Sequence, residues 1–169
     1  MSFDPKLKAS EILALAIRAE IEASGLYAAL KEKVKNELLK EKLKFLEKEE
    51  IKHRRLLERV YSQRFPGIEL KIPQKSFLKP LRISIDKKTS IRGLFLCAQE
   101  GEKKAEDFYR KGATKIKDRD SKRILIYLSR VERSHYFMIK SELDLLEKFP
   151  DYYDVENFHF GQDMFHIGP

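Results

Sequence analysis

One cysteine, no tryptophan, seven glycines and six prolines in 169 residues exclude a good deal. A lone Cys97 leaves no disulfide framework and no four-cysteine zinc or iron site within the chain. Glycine and proline are too few for a turn-rich all-β protein. No apolar run approaches the roughly 20 residues that cross a bilayer. The opening MSFDPKLKAS has no signal-peptide apolar core, so a cytoplasmic location is expected.

What is present suits charged helices over an apolar interior, with 42% hydrophobic and 37% charged residues. The length fits a single domain over residues 1–169, large enough to bury a real core. Abundant Lys and Glu beside scarce Asn and Gln lean toward a hyperthermophile composition. The formal charge of +8 admits a basic helical nucleic-acid-binding module as one alternative. The lysines are nevertheless spread along the chain, without interleaved aromatics to stack on bases, which favours solvated helix faces.

Helical periodicity predicts an all-α chain, with helices over about 8–34, 36–63, 90–116 and 119–148. Asn36 and Asp118 read as caps of the second and fourth helices. Short joints make helices one and two, and three and four, antiparallel hairpins. A long crossover over about 64–89, holding Pro66, Gly67, Pro73 and Pro80, joins the hairpins into a four-helix bundle.

The two hairpins repeat at an ungapped offset of 82 residues. The offset maps Ala16 to Ala98, Glu20 to Glu102, Ala23 to Ala105 and Tyr27 to Tyr109. It maps Asn36 to Asp118, Leu43 to Leu125, Leu46 to Leu128, Glu50 to Glu132 and His53 to His135. A pseudo-twofold axis between two copies of one hairpin is expected.

Each repeated Glu interrupts an apolar stripe at helical spacing, such as Leu13, Ala16, Ile17, Ala23 and Tyr27 around Glu20. Four buried carboxylates need neutralising, and no Lys or Arg shares these stripes. Two divalent ions would balance four carboxylates. A Glu and a His three positions apart lie about 60° apart around a helix and reach the same side. Two such pairs plus one Glu from each remaining helix form a set of six ligands: Glu20, Glu50, His53, Glu102, Glu132 and His135. This is the arrangement of di-iron and di-manganese carboxylate bundles. Oxygen donors with some imidazole suit iron or manganese, and zinc would also enter. A metal-free bundle with buried Glu–His hydrogen bonds is the alternative reading of the same residues.

In the stretches AIRAEIEASGLY, FLEKEEIKH, CAQEGEKKAEDFY and YLSRVERSH the sequence resembles the rubrerythrin-like branch of the ferritin-like superfamily, over about residues 8–148. The resemblance implies a ferritin-like bundle with two iron ions at these six residues, and reduction of hydrogen peroxide or dioxygen. It implies that Tyr27 and Tyr109 hydrogen-bond ligand carboxylates; plain aromatic packing is the alternative. The chain departs from the family in two places. Typical rubrerythrins carry a further Glu three residues after the third-helix ligand, where Ala105 stands, with Glu106 one residue off. They also carry a rubredoxin domain, and no cysteine quartet is present to form one. Electrons would then come from a separate donor protein.

The readings of function are therefore a di-iron oxidoreductase acting on peroxide or dioxygen, or oxidising ferrous iron; a metal-storage or metal-handling protein with the same site; and the nucleic-acid module. The aromatic tail over 150–169, with His159 and His166, is expected to pack on the bundle or across a homodimer. Cys97, aligned with Leu15, is expected to fill core space.

Overall fold

Four helices account for most of the chain: α1 Ala9–Lys33, α2 Glu37–Arg64, α3 Ile91–Lys115 and α4 Arg119–Lys148. The computed structural model describes Asp4, residues 6–74 and residues 91–149, and contains no strand among them. The tail from Pro150, with His159 and His166, and residues 75–90 of the crossover lie outside the described residues.

Helix starts follow from local chemistry. Asn36 Oδ1 accepts the Leu39 N–H at 3.0 Å, and Asp118 Oδ2 accepts that of Ser121 at 2.9 Å. Each cap satisfies a donor that the first turn leaves orphaned, typically contributing about 1 kcal/mol. At the far end of α2, Pro66 cannot continue the helix and Gly67, with φ 81°, turns the chain away.

The helices bury their apolar stripes in two clusters. One gathers Ile12, Leu13, Leu57, Phe108 and Leu125; the other gathers Leu30, Leu39, Leu43, Phe95 and Ile139. A fully buried side chain of this kind contributes about 1.5–3 kcal/mol, so the clusters clamp the bundle on both sides of a polar layer. Gly112 permits this packing, because a Cβ there would stand 3.0 Å from Ile12 Cγ2 and 3.3 Å from Leu125 Cδ1.

Cross-helix contacts fix the directions. Lys31 reaches Glu47 at 2.7 Å within the first hairpin. Lys42 meets Glu142 at 2.5 Å and Arg64 meets Asp120 at 2.6 Å, so α2 and α4 are antiparallel. Tyr27 bonds Glu102 while Tyr109 bonds Glu20, so α1 and α3 are antiparallel too. Helices α2 and α3 therefore run the same way. The chain must return the length of α2, about 40 Å. The 26 residues between Arg64 and Ile91 span up to about 85 Å extended, which is ample.

Candidate metal centre

Between the two apolar clusters each helix turns a glutamate inward, and α2 and α4 each add a histidine one turn on. Glu20, Glu50, His53, Glu102, Glu132 and His135 are all at most 4% exposed. The two imidazoles stack with centroids 5.6 Å apart and planes 18° from parallel. Both direct Nδ1 at the carboxylates. His53 Nδ1 lies 3.3 Å from Glu50 Oε2, 3.4 Å from Glu132 Oε1 and 3.7 Å from Glu20 Oε2. His135 Nδ1 lies 2.9 Å from Glu50 Oε1, 3.7 Å from Glu132 Oε2 and 3.8 Å from Glu102 Oε2.

These residues fall into two overlapping groups, Glu20, Glu50, His53 and Glu132, and Glu50, Glu102, Glu132 and His135. Within each group the donor atoms lie within 4.8 Å of one another, close enough to surround one ion. Glu50 and Glu132 belong to both. Among the described residues, four buried side-chain atoms lack a hydrogen-bond partner: Glu50 Oε1, Glu132 Oε1, His53 Nε2 and His135 Nδ1. Three of them point within the cluster itself, and the 2.9 Å approach of His135 to Glu50 is off the line of a hydrogen bond. Leaving a buried polar atom unpaired costs about 1–3 kcal/mol, so the layer is incomplete as a protein-only network. Oxygen donors with one nitrogen per group fit iron or manganese.

Protons balance the layer when no metal does. Burial, then the neighbouring Glu50 and Glu132 carboxylates, pushes Glu20 and Glu102 well above the ordinary carboxyl range. Burial would also raise Glu50 and Glu132, but hydrogen bonds from Glu20 and Glu102 and the flanking imidazoles outweigh it and hold both low. Burial works against charge on the histidines, and the surrounding carboxylates overcome it, carrying His53 to about 12 and His135 to about 9. Protons are therefore drawn toward Glu20, Glu102 and the two imidazoles, which offsets the charge on Glu50 and Glu132.

The tyrosines cross between the halves. Tyr27 on α1 donates its O–H to Glu102 on α3, and Tyr109 on α3 donates to Glu20 on α1. Burial and the facing carboxylates raise both phenols, so both remain donors. Hydrogen bonds of this kind fix which way a ligating carboxylate points.

Other expected positions resolve differently. Ala105 is buried against the cluster and supplies no donor, and Glu106 faces Arg133 at 3.1 Å, so it does not stand in for the missing carboxylate. Cys97 is half-buried at the margin of the core rather than inside it. Sequence reasoning missed a cavity on the α1–α3 side of the cluster, although the small residues that form it were visible.

A protein-family model described as rubrerythrin matches residues 11–143. Among solved structures, a hypothetical protein from Pyrococcus furiosus is similar over 84% of this chain and 92% of its own, with 39% identity and a TM-score of 0.74. No curated protein matches.

Proposed function

Because the chain belongs to the rubrerythrin family, we propose that it is a di-iron oxidoreductase that reduces hydrogen peroxide or dioxygen, or oxidises ferrous iron. Glu20, Glu50, His53 and Glu132 would hold one ion, and Glu50, Glu102, Glu132 and His135 the other. The observation that carries this reading is the pair of overlapping four-residue groups sharing Glu50 and Glu132. When bound, two ferrous ions supply the two electrons that, with two protons, convert one hydrogen peroxide to two waters.

The protein's own part is placement. Glu50 and Glu132 draw the two groups together, and the Tyr27 and Tyr109 hydroxyls hold Glu102 and Glu20 in orientation. The apolar clusters on both sides exclude water, which strengthens every charge interaction inside. Four carboxylates match the charge of two divalent ions. With Cys97 as the chain's one thiol, electrons would come from a separate donor protein.

Manganese or zinc would occupy the same donors. Cytoplasmic placement accords with the absence of any described helix long and apolar enough to cross a membrane. Leu38 and Phe45 on α2 and Tyr127 and Phe137 on α4 are exposed, and light scattering at micromolar concentration would test whether a homodimer covers them. The alanine at position 105 favours a second reading, metal handling without significant turnover. Stopped-flow mixing of anaerobically Fe²⁺-loaded protein with peroxide or oxygen separates the two. The oxidoreductase gains near-ultraviolet absorption; an unchanged spectrum with two irons still bound leaves metal handling.

A further inference from the structure

A cavity of about 20 Å³ lies against the carboxylates on the face between α1 and α3. Its floor is Glu20, Glu50, Glu102 and Glu132, and neither histidine lines it. Its walls hold Tyr27, Tyr109 and Leu26 together with small residues, among them two pairs that follow the internal repeat, Ala19 with Gly101 and Ala23 with Ala105. The antiparallel pairing of Tyr27 with Glu102 and Glu20 with Tyr109 places Ala23 and Ala105 next to the pseudo-twofold axis, above the centre of the cluster. Ala105 is buried, whereas Ala23 and Gly101 are partly exposed, so this side leads toward the surface. A Cβ built on Gly101 meets nothing within 4 Å, which leaves the margin of the cavity open.

The geometry points to Ala23 and Ala105 as specificity-determining residues, a size filter that admits small ligands from the α1–α3 side to the face of the carboxylates away from the imidazoles. About 10–15 Å³ of such volume holds one water. The chamber therefore suits hydrogen peroxide, dioxygen or a triatomic anion, and is too small for an alkyl hydroperoxide. Adding three carbons at either alanine would fill it. This inference rests on the two-metal reading and names the residues that set which ligands reach that site.

Cobalt-loaded protein titrated with sodium azide, followed by visible absorbance, tests it by binding alone. Wild-type protein should hold two cobalt ions and bind azide. Ala23→Val and then Ala23→Leu should weaken azide progressively, by at least tenfold for leucine, with cobalt content unchanged. Ala23 is half-buried and on a helix, so these variants keep the fold; Ala105→Leu, at a buried position, should show the same loss if it folds. Two bound cobalt ions with no azide binding by the wild type, or with the same azide affinity in the Ala23 variants, would overturn the filter alone. Wild-type protein that takes up no cobalt would overturn the two-metal reading and the filter with it.

Discussion

Loading two divalent ions into metal-free protein should expel at least two protons. At neutral pH the metal-free layer holds one proton each on His53 and His135, raised to about 12 and about 9, while burial and their carboxylate neighbours shift Glu20 and Glu102 upward, toward holding protons as well. Glu50 and Glu132 are already ionised. A metal ion needs the lone pairs that these protons occupy, so protons leave as ions enter. By linkage, the combined affinity for the pair should change by at least about two powers of ten per pH unit near pH 7, roughly 3 kcal/mol. Isothermal calorimetry in buffers of differing ionisation enthalpy counts the protons directly. Fewer than one proton released, or an affinity indifferent to pH between 6 and 8, would refute this account of how the layer is neutralised.

Stability without metal should move in the opposite sense. All four proton-holding groups have folded values above their unfolded ones, near 4.5 for the carboxyls and 6.5 for the imidazoles. Their contribution is complete below those values and is lost as pH rises, through about 9 for His135. Melting in the presence of a chelator should therefore show a lower Tm at pH 8.5 than at pH 6, and a larger gain on metal loading at the higher pH. Tyr27→Phe should cost about 1–3 kcal/mol in urea unfolding, because Glu102 loses its donor in a buried site. The same variant should weaken the ion beside Glu102 and His135 more than the one in its own half. Metal analysis should find Glu50→Ala losing both ions, since Glu50 serves both groups, and His135→Ala losing mainly one.

Much of this layer was legible in the chain because an internal repeat supplies its own control. One Glu in a lysine-rich helix says little, but the 82-residue offset carries Glu20, Tyr27, Glu50 and His53 onto Glu102, Tyr109, Glu132 and His135 together. Periodicity then placed each of them on a core-facing stripe, and the structure brings all eight to one layer. Periodicity describes one helix at a time, however, and could not say which tyrosine meets which carboxylate. Tyr27 shares a face with Glu20, yet it bonds Glu102, because antiparallel packing of α1 on α3 sets each tyrosine level with the other half's glutamate. The long crossover hid that direction from the sequence, since a chain of its length could return by either route. Cys97 was expected to fill the core and lies at its edge, as a one-position shift on a helix moves a side chain about 100°. The α1–α3 cavity escaped notice because small residues on an apolar stripe read as close packing until the neighbouring helix is in place.

Anomalous diffraction from crystals of metal-loaded protein tests the central claim most directly. Two ions per chain should appear, roughly 3.5–4 Å apart as in other two-metal sites. One should lie among Glu20, Glu50, His53 and Glu132, and its partner among Glu50, Glu102, Glu132 and His135. A single ion, or two ions bound away from these six side chains, would contradict it.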